Sequence, residues 1–580
     1  MPSLKSLLTP AVARYGMAGL AGLLFAGAFS PFEIAGLAWV APALLLTVTA
    51  GQRGAVAFRL GYVTGAVRWL VSLYWLLLIP FPAGAVAGWL ALCAYLALYP
   101  ALWVWLCWRC FPFTGKSGDA SQPDSMETGE LRSVPRNAGD AGDAPAGSGV
   151  SPGRVFERMH AAGWLRRGGW ALGCAVLWVA IEMVQARLAS GFPWSLLGVS
   201  QHAILPLVQV ASIAGVHGIA FLVVWFSVAL FCAAARLWGR PATHRDAWAE
   251  ILVPLLVVIL TGVWGYSRMM RPLPERGTAR LALIQPSVPQ TLIFDSTETT
   301  NRFDRLMELS EEALESGPDV LIWPEAAMPP WNEDRAKRVF ELARAHGVWL
   351  VLGADDVEER EDGGLDIYNS AFLIGPGGRV EGVYRKQRLV IFGEYVPLDD
   401  WIPFMRHLTP IPGGFEAGDK PVPFRLEGTG VETSVLICFE DVFPRSARGH
   451  VLEGTDFLLN LTNDGWFRQS AAHWQHAYNA VFRAVENGVP LVRCTNNGLT
   501  CWIDARGRIR EVFRTEGEGI YGAGFLIATI PLPERGAALE RPFYHRHGDV
   551  FGWCCVGIGA WIAGVGFMKR KGRHLLPEGE

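Results

Sequence analysis

The chain has 580 residues, of which 51% are hydrophobic, 24 are Trp and only 18% are charged. An ordinary soluble enzyme carries roughly 25% charged residues, so this composition excludes a chain that is soluble throughout. A formal net charge of -3 supplies no global field for nucleic acid, and no nucleic-acid-binding motif is present.

The apolar excess is concentrated in the first half. Residues 10–112 and 169–268 are nearly continuous apolar runs, whereas 276–545 reads as a normal soluble domain. A bilayer-crossing helix needs roughly 20 mostly apolar residues. Eight segments are read as spans: about 10–30, 34–50, 57–80, 84–108, 169–187, 206–234, 250–267 and 549–568. The first has Lys5 and Arg14 and then small residues near Ala26–Ser30, which is also the layout of a signal peptide. The return to apolar sequence after Glu33 favours a retained anchor. About seven helices thus form an N-terminal bundle over 1–268, and an eighth follows the soluble domain.

Lys and Arg are retained on the cytoplasmic side of a membrane. Arg53 and Arg59 follow the second segment, Arg154, Arg158, Arg166 and Arg167 precede the fifth, and Arg236, Arg240 and Arg245 follow the sixth. Lys569, Arg570, Lys571 and Arg573 open a basic tail, 569–580. The alternate loops, Ser30–Ile34, Pro80–Gly84 and Ser190–His202, carry neither residue type. Both termini are therefore expected in the cytoplasm of a bacterial inner membrane, with 270–548 on the periplasmic face. Residues 114–152, rich in Gly, Ser, Asp, Pro and Ala, are expected to be a disordered cytoplasmic loop. Cys107 and Cys110 form a C-x-x-C, but no second pair or βαβ context accompanies it, so it reads as small residues at a helix end. Arg68 and Glu182 are among the few ionisable residues inside the bundle. They are either a headgroup or substrate contact or mutually paired structural charges.

In 276–545, strand-like runs alternate with helical ones. Strands are expected at Leu281–Gln285, Val320–Trp323, Trp349–Gly353, Ser370–Ile374, Ser434–Cys438, Phe457–Leu461 and Leu491–Cys494, and helices at about 299–316, 333–346 and 472–487. This alternation indicates an α/β layered domain with a mostly buried sheet. Three polar residues stand at or beyond apolar strand-like runs: Glu325 in Leu-Ile-Trp-Pro-Glu, Lys386 in Tyr-Arg-Lys, and Cys438 in Val-Leu-Ile-Cys-Phe-Glu. Taken singly each has an ordinary explanation: a helix-start carboxylate, one charge of a basic run, a small buried hydrophobe. Taken together they form a chemical set. A thiol attacks only as thiolate; a carboxylate removes its proton, and an ammonium favours the thiolate and stabilises an oxyanion. Acyl transfer through a thioester needs nothing more, neither metal nor nucleotide, so no cofactor is expected.

These motifs resemble the nitrilase superfamily and, more closely, its membrane-embedded branch, the apolipoprotein N-acyltransferase family. The likeness includes Ser190-Gly-Phe-Pro-Trp, Gly198-Val-Ser-Gln, Gln285-Pro-Ser-Val-Pro-Gln, Asn463-Asp-Gly-Trp-Phe and Arg493-Cys-Thr-Asn-Asn-Gly. It covers nearly the whole chain except 114–152. The resemblance implies an α-β-β-α sandwich with Glu325 as general base, Cys438 as the acylated nucleophile and Lys386 at the oxyanion. It implies that Glu394 supports the base and the lysine, and that Phe439 and Glu440 shape the pocket. The family often has Tyr at the position of Phe439, and a Trp where this chain reads Leu292-Ile-Phe-Asp, so Phe294 is the candidate aromatic there. His473 and His476 stand three apart, but no third donor is spaced to complete a metal site. Trp466 and Phe467 follow a turn signal and are either core or a loop that contacts lipid or substrate.

The resemblance also implies the reaction. Cys438 takes an acyl chain from a phospholipid and passes it to the N-terminal α-amine of diacylglyceryl-cysteine in an apolipoprotein. The protein is expected to act as a monomer on the bilayer. Two rivals stand beside this reading. A membrane-anchored amidase with water as acceptor is not excluded by Glu325, Lys386 and Cys438 alone. A transporter would need broken or charged helices around a midplane site, and is disfavoured by the few intramembrane charges and the lack of half-to-half symmetry.

Overall fold

The computed structural model describes residues 10–111, 152–239, 248–293, 295–397, 414–535 and 541–574. Phe294 and the loop read at 114–152 lie outside the described residues, except that Pro152 opens a helix.

The N-terminal half is helical. Its elements are α1 (Pro10–Gly27), α2 (Ala41–Thr49), α3 (Gly54–Ser72), α4 (Pro82–Arg109), α5 (Pro152–Ala161), α6 (Trp164–Gln185), α7 (Ala211–Gly239) and α8 (Ala249–Met270). Four of them, α4, α6, α7 and α8, are long and apolar enough to cross a membrane, rather than the eight expected. The difference has a physical origin. Arg14 dilutes α1, Arg59 and Arg68 interrupt α3, and the 34–50 segment breaks into a 3-10 turn followed by α2. The apolar part of the C-terminal helix is short, Val550–Gly566, within a helix that runs to His574 through the basic residues expected to form a tail.

Small residues set a close helix contact. A Cβ on Gly61 would lie 2.7 Å from the Ala101 Cα, and one on Gly65 2.7 Å from the Ala97 Cα. This small-x-x-x-small face lets the α3 and α4 backbones meet. The two bundle charges are used structurally. Arg68 donates to the Ser195 carbonyl at 2.8 Å and sits over Phe25, Phe29 and Trp69. Glu182 accepts the Leu197 N–H at 2.8 Å and lies 3.4 Å from His217. Both therefore hold the loop that follows α6, where Gly191 (φ 82) leaves no room for a Cβ against the Ala186 carbonyl.

The second half contains two six-stranded sheets. The strands are β1 (Glu275–Gln285), β2 (Val320–Ile322), β3 (Trp349–Glu359), β4 (Leu365–Gly375), β5 (Arg379–Arg385), β6 (Pro423–Leu426), β7 (Val431–Ile437), β8 (Phe457–Thr462), β9 (Leu491–Thr495), β10 (Cys501–Ile503), β11 (Ile509–Val512) and β12 (Gly524–Pro533). One sheet is ordered β12-β1-β2-β3-β4-β5 and the other β11-β10-β9-β8-β7-β6. Their inner faces share an apolar layer including Leu283, Ile322, Val435, Leu461 and Val492. The sequence reading finds β1, β2, β3, β4, β7, β8 and β9, misses β5, β6, β10, β11 and β12, and shortens β1 and β3. Their distal halves are exposed and polar, so no apolar run marks them.

Helices α9 (Thr299–Leu314) and α10 (Glu333–His346) cover the first sheet with one apolar face each. Asn332 accepts the Arg335 N–H at 2.8 Å to start α10, and Gly347 ends it at φ 62. Against the second sheet lie α11 (Pro444–His450) and α12 (Ala472–Asn487). Helix α12 differs from α9 and α10, because only Trp474 escapes full burial along its length. The bundle covers its outer side, and one hydrophobic core runs from Trp75 and Trp194 through Ala480 and Val481 to Leu436 and Leu458. A last helix, α13 (Val550–His574), returns to pack on α6.

Candidate active site

The site is assembled by strand ends. After β2, Trp323 is fully buried and donates its indole N–H to Ser310 Oγ at 2.8 Å, anchoring the strand exit to α9. Pro324 then turns the chain, and Ala326 adopts φ 51, which presents Glu325 at the turn. After β5, Lys386 is held by its own backbone. Its N–H donates to the Asn369 carbonyl and its carbonyl accepts from Gly418 N–H, both at 2.8 Å. Cys438 follows β7 rather than ending it, and opens a tight 3-10 turn at φ 52. A non-glycine residue in this left-handed region costs of order 1 kcal/mol or more and persists only when neighbours over-determine it. Here they do: Asn460 Nδ2 donates to the Cys438 carbonyl at 3.0 Å, and the Glu440 carboxylate accepts the Ile437 N–H at 2.8 Å.

The structure brings Glu325, Lys386, Glu394 and Cys438 together. Lys386 Nζ lies 3.3 Å from Glu325 Oε1 and 2.8 Å from Glu394 Oε1. Asn369 Nδ2 donates to both of these oxygens at 2.9 Å. The second oxygen of each carboxylate accepts a backbone N–H, Asn463 for Glu325 at 2.9 Å and Val390 for Glu394 at 2.8 Å. Glu325, Lys386, Glu394 and Asn369 are buried, and Cys438 is partly buried. Burial opposes the charge on Lys386, but the Glu394 and Glu325 carboxylates outweigh it and raise the ammonium above its ordinary range. Cys438 is pushed the other way. Burial and then the Glu325 charge raise its thiol well above the ordinary value, against the opposing pull of Lys386, so the resting group is the thiol.

Glu440 ties the Cys438 turn to the Lys386 loop. Its Oε1 accepts the backbone N–H of Gln387 at 2.9 Å and of Arg388 at 3.0 Å, and both oxygens accept from Tyr384 at 2.9 Å. Phe439, half-buried, stacks toward Trp194 and Phe192 of the bundle loop, each at 6.1 Å, and meets Phe443 edge-on at 4.8 Å. Phe467 meets Trp75 at 4.4 Å, while Trp466 on the same turn is half-buried. Phe439, the residue after Cys438, thus packs against aromatic side chains supplied by the helical bundle.

Residues 21–119 and 153–229 match the family model described as "Apolipoprotein N-acyltransferase N-terminal domain", and residues 280–538 match "Carbon-nitrogen hydrolase". A curated relative from Geobacter metallireducens, named apolipoprotein N-acyltransferase, is 34% identical over 97% of this chain and 96% of its own length. The chain belongs to the apolipoprotein N-acyltransferase family. Relatives of the same name from Bradyrhizobium diazoefficiens (32% identical, 69% of this chain, 74% of theirs) and Vibrio cholerae (28%, 98% and 99%) extend the likeness. As a member of this family the chain is an acyltransferase, and its second half has the α/β build of the nitrilase superfamily.

Within this acyltransferase two sets of site residues escape the sequence reading. Asn369 lies one residue before the expected strand Ser370–Ile374, where its only signal is a lone amide between Tyr368 and Ser370. The second set is a buried ionic cluster beside the Cys438 backbone. His476 Nε2 lies 2.7 Å from Asp441 Oδ1 and 3.3 Å from the Cys438 carbonyl, and its Nδ1 lies 2.8 Å from Asp464. Arg493 pairs with Asp441 and, at 3.4 Å, with Asp464. Burial opposes the charge on His476, but Asp441 and Asp464 win, and its pKa rises to about 9. Burial likewise works against the Asp464 charge, yet His476 and Arg493 hold that carboxyl down to about 2. The sequence offers His473 and His476 only as a doubtful metal pair. Their real neighbours are Asp441 and Asp464, brought from other strand ends.

Proposed function

We propose that this apolipoprotein N-acyltransferase works through a thioester on Cys438, with Glu325 as base and Lys386 at the oxyanion. Glu325 takes the thiol proton as Sγ attacks an ester carbonyl of a phospholipid. The Lys386 ammonium stabilises the oxyanion of the tetrahedral intermediate. Collapse breaks the ester C–O bond, and Glu325 returns the proton to the departing lysophospholipid oxygen. The free α-amine of diacylglyceryl-cysteine at an apolipoprotein N-terminus then attacks the thioester carbonyl. The amine gives up a proton through Glu325, the C–S bond breaks, Cys438 leaves as thiolate and is reprotonated, and the N-acylated lipoprotein departs. The raised thiol pKa suits this order, since a base must be in place before attack.

The observation that carries the reading is the position of Cys438, on a left-handed turn beside the Glu325–Lys386 pair with Phe439 facing Phe192 and Trp194. Both substrates are lipids, so the site opens toward the bilayer, and exclusion of water protects the thioester. Glu394 and Asn369 hold the charged pair, Glu440 holds the turn, and Trp466 contacts lipid or substrate. With water as acceptor the same three residues would make an amidase; the N-terminal family domain, which such an enzyme has no need of, favours acyl transfer.

The positive-inside pattern supports an arrangement in which the bundle (1–268) and the helix at 549–568 cross the inner membrane eight times, with α1, α2, α3 and α13 completing the set. The domain 276–545 then stands on the periplasmic face and both termini in the cytoplasm. A monomer meets every requirement of this scheme. Incubation of purified protein with labelled phospholipid and no acceptor tests the chemistry. A hydroxylamine-sensitive acyl adduct is expected, absent from Cys438→Ala. An adduct of equal size in that variant refutes the thioester assignment.

A further inference from the structure

A second built site lies at the opposite end of the sheets from Cys438. Glu325 and Cys438 follow the C-terminal ends of β2 and β7, strands parallel to β1 and to β8 and β9 respectively. A cavity of about 270 Å³ opens instead where β1 and β9 begin, lined by Glu275, Pro490, the end of β12 and the β10–β11 turn. Its other wall is Met269–Pro274, where α8 leaves the bundle. Four arginines line it: Arg271, Arg506, Arg508 and Arg510. A fifth, Arg268, stands close by, donating to Gln209, whose amide in turn donates to the Arg506 carbonyl at 2.8 Å.

The carboxylates present do not balance this charge. Asp504 is committed to its own turn, accepting the N–H groups of Arg506 and Arg508 at 2.9 Å and Arg508 Nη1 at 3.4 Å. Glu275 is exposed. Arg508 also donates to the Met269 carbonyl at 3.3 Å, an ordinary use of a cation at a helix C-terminus. Arg506 has no such explanation. It is 9% exposed, and its Nε is buried with no hydrogen-bond partner. Burial and then the nearby Arg508 and Arg271 hold its pKa below the ordinary arginine range in spite of Asp504. Gathering like charges in a partly enclosed space is costly unless an anion completes it.

The surroundings indicate which anion. Helix α8 is the least buried of the four long apolar helices, and Ile259, Leu260, Val263, Tyr266 and Met270 are exposed along it toward the cavity. That surface meets acyl chains, so the arginines just beyond its end stand at headgroup level. Arginine forks match phosphate oxygens bidentately.

We propose that this cavity is a phosphate site that holds the headgroup of an anionic phospholipid at the seam between α8 and the β10–β11 turn, apart from the reaction at Cys438. The proposal does not depend on the acyl-transfer chemistry, and its test is run in proteins that all carry C438A so that no donor lipid is consumed. Full-length protein in detergent is mixed with dioleoylphosphatidylglycerol, or with dioleoylglycerol, which has the same tails and no phosphate, and retained lipid is counted by native mass spectrometry. Retention of the phospholipid and not of the diacylglycerol is expected. The exposed pair R271Q/R510Q should weaken that retention roughly thirtyfold, at about 1 kcal/mol per surface arginine, while R271K/R510K keeps most of it. Displacement by millimolar inorganic phosphate would keep the phosphate site but overturn the lipid as its source. Equal retention in all three proteins, or equal retention of diacylglycerol, overturns the proposal.

Discussion

At the scale of single residues, the site is governed by how few partners each charge has. Among the described residues, Asn369 is the uncharged side chain that, beside Lys386, donates to both Glu325 and Glu394. Asn369→Leu leaves those oxygens with Lys386 as their shared donor. A hydrogen bond to a charged group contributes about 1.5–3 kcal/mol. The rate of acyl-enzyme formation should therefore fall roughly tenfold to a hundredfold, with little change in KM, in single-turnover kinetics. His476 supplies a pH signature. Its folded pKa of about 9 lies above the ordinary 6.5, so the stability it contributes is complete below pH 6.5 and is lost as pH rises through 9. Melting temperature should decline on the alkaline side in the native protein, and the decline should be shallower in His476→Gln. A parallel decline in both proteins would place the titration elsewhere.

At the scale of elements, α12 is the joint between the two halves. Gln475 makes four hydrogen bonds there. Its oxygen accepts the indole N–H groups of Trp75 at 3.1 Å and Trp194 at 2.8 Å, and its nitrogen donates to the Ser30 carbonyl at 2.7 Å and the Ser72 carbonyl at 3.1 Å. Gln475→Ala leaves those four groups unpaired and should cost about 3 kcal/mol of stability, measured by denaturant unfolding in detergent. Tyr478, one turn on, donates to Glu33 at 2.6 Å, and Glu486 accepts the Val216 N–H at 2.9 Å. The helix itself is legible in the sequence, which ends it correctly before Gly488. Its burial on both sides is not. A helix carrying His, Gln, Asn, Arg and Glu reads as half-exposed, and only the bundle packed over it supplies partners for those groups.

At the scale of the whole molecule, the apolar core does not stop at the membrane boundary. A fragment beginning at Glu275 and ending at Arg535 would expose the bundle-facing side of α12 and the ring of Phe439. It should aggregate or bind detergent, as gel filtration would show, although its strands are complete. The crossing pattern also belongs to this scale. Single cysteines introduced at Asp295 and at Arg573, in a background lacking the exposed Cys554, should react with an impermeant thiol reagent on opposite sides of sealed vesicles. Labelling of both from one side would invert the proposed orientation.

What the sequence by itself determined was local. Hydropathy separated an apolar bundle from a soluble domain, strand-end motifs picked out Glu325, Lys386 and Cys438, and loop charges implied an orientation. Each of these needs only neighbouring residues to be read. Tertiary structure alone decided that Asn369 bridges two carboxylates, that Asp441, His476, Asp464 and Arg493 form one buried cluster, and that five arginines from α8 and the β10–β11 region converge. It also decided that α1 packs on α3 and α3 on α4, although charged residues dilute the apolar character of α1 and α3. These groups come from strand ends and helices far apart along the chain, and their charges become compatible only once the sheets and the bundle remove them from water together.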